Sequence, residues 1–141
     1  MVRSIILLVA GLVSGAVLFS TFGEPGGVST MSSSSAPEDE WFKKEVVNSK
    51  LPVIVDFTAT WCGPCKAMKK DLDKLEQEFV GKFKVVPVDI DERPEISDHY
   101  NVDGVPTLLI LKRGKVVAKR DGVDGGSDTY EGLKQFVTRH L

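Results

Sequence analysis

Cysteine is scarce in this 141-residue chain, which has only Cys62 and Cys65. Two neighbouring cysteines cannot form the widely spaced framework that staples small secreted scaffolds, so the pair calls for a chemical explanation. An excess of charge is missing too. Lys and Arg number 18 against 20 Asp and Glu, which leaves no basic footprint for nucleic acid. The chain has no phosphate-cradling glycine loop and no N-x-[ST] acceptor. His99 and His140 stand apart without ligand spacing and read as surface residues. Asp121, Asp124 and Asp128 lie among glycines as in a calcium loop, but their spacing and the missing distal glutamate do not meet the EF-hand pattern. No metal and no dissociable cofactor is expected.

Charge is also absent from Ser4 to Gly23, between Arg3 and Glu24. That stretch reaches the roughly 20 residues of a spanning helix. Gly11, Ser14, Gly15, Ser20 and Thr21 dilute it, so the h-region of a signal peptide fits equally well, with Thr21 and Gly23 small enough for processing after Gly23. If the segment is retained, Arg3 inside and Glu24 outside would carry the remainder across a membrane. A mitochondrial presequence should be amphipathic and Arg-rich, so it ranks behind both readings. Gly11 and Gly15 form a GxxxG spacing that reads more simply as scattered small residues. Residues 24–36, with Pro25, Gly26, Gly27 and Ser32 to Ser35, read as a flexible linker. A translation start at Met31 would give a cytosolic form without the hydrophobic segment. The organisation expected is a signal or anchor over 1–23, a linker over 24–36 and a monomeric folded domain over 37–141.

In that domain, Pro37 at a first-turn position and Glu38, Asp39 and Glu40 at the positive dipole end predict a helix to about Asn48. Val53 to Phe57 is an apolar, β-branched run suited to a buried central strand. Cys65, Met68, Leu72, Leu75 and Phe79 mark one face of a helix from about Pro64 to Val80, with Gly81 as its stop. A strand is predicted over 84–89, which completes a right-handed βαβ unit with parallel strands. A short helix over 94–100 follows. Thr107 to Leu111 and Lys115 to Lys119, joined by Arg113-Gly114, predict an antiparallel hairpin. A helix over 129–140 places Tyr130, Leu133, Phe136 and Val137 inward. The fold class is α/β, a three-layer fold with a mixed four- to five-stranded sheet and helices on both faces.

The chemistry concentrates at Trp61-Cys62-Gly63-Pro64-Cys65-Lys66, where the buried strand passes into the helix. Cys62 falls at or just before the first turn, where unpaired N–H groups and the dipole favour a thiolate. Pro64 suits an early helical position, since its missing N–H would find no intrahelical partner there. Cys65 begins the apolar stripe, so one sulfur is expected exposed and the other half-buried. That asymmetry suits two-step exchange, in which an accessible thiolate attacks and a protected thiol resolves. Half a zinc site would need further ligands that the chain does not supply. A structural disulfide across one helical turn would close almost no loop and stabilise little. Coincidence fits poorly with a CxxC placed between strand and helix of a βαβ unit.

This hexapeptide, preceded by Val55-Asp56-Phe57 and followed by Gly104-Val105-Pro106-Thr107-Leu108, resembles the thioredoxin family over about residues 37–141. The resemblance implies protein-disulfide reduction, with Cys62 as nucleophile, Cys65 as resolving thiol and their disulfide in place of a cofactor. It implies a cis Val105–Pro106 bond opposite the cysteines, and an apolar docking surface of Trp61, Gly63, Pro64, Val105, Pro106 and Gly122. A bulky residue at Gly122 would then block approach. Strand period leaves Asp56 open between solvated and buried. Similarity to the family's buried aspartate implies the second, with a raised pKa and proton exchange with Cys65 through water. Disulfide-bearing client proteins and a thioredoxin-reductase-type or membrane electron donor are the implied partners.

The departures from the family pattern are specific. Lys70 stands where many members have a helix-kinking proline, and Pro87 where many bacterial members have a lysine near the aspartate. Ser32 to Ala36 makes a poor first edge strand. Gly-Pro between the cysteines resembles the reducing members, whereas exported oxidants and isomerases typically carry histidine at the second place. A membrane-side oxidant or isomerase, and a non-catalytic binding module using the same surface, remain the alternatives at this point.

Overall fold

The computed structural model describes residues 37–122 and 130–141. The hydrophobic stretch 4–23, the linker 24–36, and Asp124 and Asp128 lie outside the described residues. Among the described residues no helix is long and apolar enough to cross a membrane.

The first helix, α1 (Glu40–Phe42), continues into a π-helical turn over Lys43–Val47. It starts later than Pro37. Asp39 is the cap, and its Oδ1 accepts the Phe42 N–H at 2.7 Å. A carboxylate there satisfies an otherwise orphaned amide, which a proline in the first turn cannot do. Asp39 also pairs with Arg93, whose guanidinium stacks 4.2 Å from the Trp41 ring. Strand β1 (Val53–Thr58) leads to α2 (Gly63–Glu78), β2 (Lys84–Asp89) and α3 (Pro94–His99). Strands β3 (Thr107–Lys112) and β4 (Lys115–Asp121) follow, and α4 (Tyr130–Arg139) is the last helix. Helix α2 ends at Glu78, two residues short of the predicted boundary, and Gly81 takes the positive φ (75°) of the turn that follows.

Among the described residues four strands form one sheet in the order β2-β1-β3-β4, with β1 parallel to β2 and antiparallel to β3. This is the expected mixed sheet, and the candidate edge strand at Ser32 to Ala36 lies outside the described residues. Strand alternation divides the core in two. Val53, Val55 and Phe57 of β1 join Phe42, Val46, Ile96, Leu109 and Leu111 on one face. Ile54 joins Met68, Leu72 and Leu75 of α2, Leu108 and Ile110 of β3, and Leu133 and Val137 of α4 on the other. Pro87 pairs with Asp56, and its missing N–H is tolerated because β2 is an edge strand of the described sheet.

The β3–β4 turn places Arg113 and Gly114 at φ 51° and 75°, the left-handed pair that a two-residue hairpin requires. A Cβ on Gly114 would meet Val47 Cγ1 at 2.9 Å. Gly114→Ala should therefore cost about 1–2 kcal/mol through left-handed backbone strain, with the close contact adding to it. Thermal unfolding checks this, and a melting temperature lower by roughly 4–10 °C is expected.

Candidate redox-active site

Cys62 ends the β1–α2 loop with extended backbone (φ −80°, ψ 107°) and caps α2, its Sγ accepting the Cys65 N–H at 3.2 Å. Three residues fit this junction for separate reasons. A sulfur at the cap faces unpaired amides, Gly63 leaves open space where a Cβ would project, and Pro64 occupies the first turn. Cys62 and Cys65 form a disulfide with their Cα atoms 5.4 Å apart.

Both cysteines are nearly covered, Cys62 at 4 % exposure and Cys65 at 2 %. The expected contrast between an exposed and a half-buried sulfur is thus corrected. Ala59, Ile90 and Val105 pack against the pair from three different loops. Sequence periodicity carries no trace of Ile90 or Val105 arriving there, since both come from other parts of the chain.

The Val105–Pro106 peptide is cis, and Val105 touches the cysteine cluster. Pro106 is tied to the far strand by the Gly122 N–H, which donates to its carbonyl at 2.8 Å. Gly122 has φ 69° and nothing within 4 Å of where a Cβ would stand, so a side chain there would enter the open approach to this loop. Trp61 is 67 % exposed, and its indole Nε1–H donates to Asp91 Oδ2 at 2.8 Å. The disulfide, Gly63 and Pro64 at the head of α2, and Trp61, Val105, Pro106 and Gly122 in the adjoining loops, thus lie at one end of the sheet.

Asp91 was not singled out in the sequence, although a signal existed. Parallel pairing of Thr58 with Asp89 brings the loops after β1 and β2 to the same edge, within reach of each other. Asp91→Ala should free the indole while costing no more than about 1 kcal/mol of stability, since the bond is exposed. A changed tryptophan emission with a nearly unchanged denaturation midpoint is the expected result.

Asp56 lies on the Ile54 face of β1, beneath α2, at 2 % exposure, and its Oδ1 finds no hydrogen-bond partner among the described residues. Burial pushes its carboxyl up from 3.8 to about 6. The positive charge of Lys69 opposes that rise and the negative charge of Asp73 adds to it. Pro87, its neighbour on β2, offers no charge. The open choice between a solvated and a buried carboxylate is resolved in favour of burial.

A profile of the thioredoxin family matches residues 33–139. The chain is 44 % identical to thioredoxin 1 of Nostoc sp. over 111 residues, 79 % of this chain and the whole of that relative. The chain belongs to the thioredoxin family. It is also 39 % identical to a thioredoxin of Haemophilus influenzae over 103 residues, 73 % of this chain and 92 % of the relative. Identity to a thioredoxin of Rickettsia felis is 47 % over 77 residues, 55 % of this chain and 73 % of the relative.

Thioredoxins are protein-disulfide oxidoreductases that exchange dithiol for disulfide, and the Cys62–Cys65 pair supports that chemistry here. The redox-active disulfide takes the place of a cofactor. Among the described residues no grouping of three His, Cys, Asp or Glu side chains could hold a metal ion.

Proposed function

We propose that this protein works as a reductant of client protein disulfides, with Cys62 as nucleophile and Cys65 as resolving thiol. One observation carries the reading, the disulfide at the N-terminus of α2 beside the cis Val105–Pro106 loop. In the reduced protein the Cys62 thiolate attacks one client sulfur. An S–S bond forms between them, the client bond breaks, and its second sulfur leaves as a thiolate that takes a proton. Cys65, deprotonated, then attacks Cys62 Sγ, closes the Cys62–Cys65 disulfide and releases the first client sulfur as a second thiol. Two electrons pass from the protein to the client.

Amides and dipole at the head of α2 would stabilise the Cys62 thiolate. Asp56, titrating at about 6, is suited to take the Cys65 proton through a water and return it. Trp61, Gly63, Pro64, Val105, Pro106 and Gly122 would seat an extended client segment. Mixing the reduced chain with a protein disulfide is the test. Two client thiols should appear for each chain oxidised, and no gain in client thiol would refute the reading.

Recharging requires a thioredoxin-reductase-type enzyme or a membrane electron donor. We further propose that the uncharged stretch 4–23 directs the domain to or across a membrane. Deleting residues 4–23 should then redistribute a C-terminally tagged chain between membrane, exported and soluble fractions. An unchanged distribution would contradict it.

A further inference from the structure

A groove of about 290 Å³ opens beside the cis Val105–Pro106 loop, lined by Asp103, Gly104, Val105, Thr107, Asp121 and Gly122. Its wall carries two carboxylates, one of which, Asp121, is paired with Lys119. Asp103 is exposed and enters no hydrogen bond or ion pair among the described residues. Asp121 is held in place: its Oδ1 lies 3.2 Å from Thr107 Oγ1 and 3.2 Å from Lys119 Nζ. Thr107 Oγ1 in turn donates to Gly104 O at 2.8 Å, which links the floor of the groove to one of the two acids. Two further exposed acids, Asp91 and Glu92, follow β2, and Asp91 accepts the Trp61 indole N–H. Along α2 the exposed lysines Lys66, Lys69 and Lys70 are followed by Asp71 and Asp73, and Lys69 pairs with Asp73 at 2.9 Å.

The surface beside the cis proline is therefore net acidic, with Asp103 and Asp121 against Lys119, whereas the lysines along α2 are offset by its own acids, Asp71 and Asp73 among them. From this groove and its charges we infer that the protein prefers client disulfides flanked by a lysine or arginine, which Asp103 and Asp121 receive beside Pro106. The preference rests on the reductase reading and adds a substrate class to it. Complementary exposed charges act mainly on encounter and orientation, and their effect falls with salt.

The test uses the full chain, reduced and freed of reductant, and three short peptides carrying one intrachain disulfide flanked by Lys, Ser or Glu. Single-turnover oxidation is followed by tryptophan fluorescence. At low ionic strength the Lys peptide should react about five- to tenfold faster than the Glu peptide, with the Ser peptide between them. In ~1 M salt, where the screening length is about 3 Å, the three rates should converge. D103K should remove or reverse the order, and D103N, a milder change, should narrow it.

Equal rates in the unmodified chain, or an order that D103K and D103N leave intact, would overturn the inference while leaving disulfide exchange standing. Failure of all three peptides to oxidise the dithiol would overturn the inference together with the reductase reading beneath it.

Discussion

Asp56→Asn is expected to stabilise the protein at pH 7 by about 3 kcal/mol and to slow its exchange chemistry. The folded-state carboxyl titrates at about 6, against 3.8 for the unperturbed group. Each such unit of difference is worth about 1.4 kcal/mol between the two protonation states. The sign follows from which state ionises first. Below about pH 4 the group is neutral whether the chain is folded or not, and it contributes nothing. Between about 4 and 6 the unfolded chain loses its proton more readily than the folded one, so stability falls as pH rises. Above about 6 the full penalty of a buried carboxylate is present.

Asparagine has the same shape and no charge, so the difference between the two proteins isolates the ionisation. Denaturant unfolding from pH 4 to pH 8 should show stabilities that agree at the acid end and diverge toward neutrality. A gap independent of pH would mean that the carboxylate is not the source. Turnover on a client disulfide should fall roughly tenfold or more, as expected when a positioned proton acceptor is removed. A protein that gained stability and kept its full rate would leave Asp56 without a part in the chemistry.

The second large effect is at the cysteines themselves. Cys62→Ser should reduce disulfide exchange to background, because a serine hydroxyl cannot form the mixed disulfide. Cys65→Ser should still attack but should fail to resolve, so covalent adducts to clients accumulate. Intact mass spectrometry distinguishes the two, with adducts on the Cys65→Ser chain and none on the Cys62→Ser chain. Adducts on the Cys62→Ser chain instead would exchange the two roles. Losing the disulfide should change stability little in either variant, since a bridge between residues three apart closes a very short loop.

Local pattern carried much of this architecture. The β-branched run around Ile54, the helical stripe from Cys65 to Leu75 and the Arg113-Gly114 turn each depend on neighbours in sequence, and each is found where expected. The redox pair was legible for the same reason, because a CxxC between strand and helix is a local signature.

What local pattern could not report depended on residues distant in sequence, and for Val105 and Asp56 only the family resemblance pointed to the outcome. Cys62 is covered because Ile90 and Val105 arrive from the loops after β2 and before β3, which no periodicity around residue 62 reports. Trp61 finds Asp91 thirty residues away, through the parallel register of β1 with β2. The burial of Asp56 required knowing that α2 packs on the Ile54 face of β1. At the start of the domain, Asp39 displaced Pro37 as the beginning of α1 because its carboxylate can cap the Phe42 amide and pair with Arg93 at once.

The reduction potential of the Cys62–Cys65 couple is the measurement closest to the central claim. Equilibrating the full chain in graded dithiothreitol and glutathione buffers, with tryptophan fluorescence as the readout, gives it directly. A reductant of client disulfides requires a value near the roughly −270 mV of thioredoxins. A value at or above about −180 mV, the range of protein disulfide isomerase, would contradict the reductant assignment and make the protein an oxidant or isomerase.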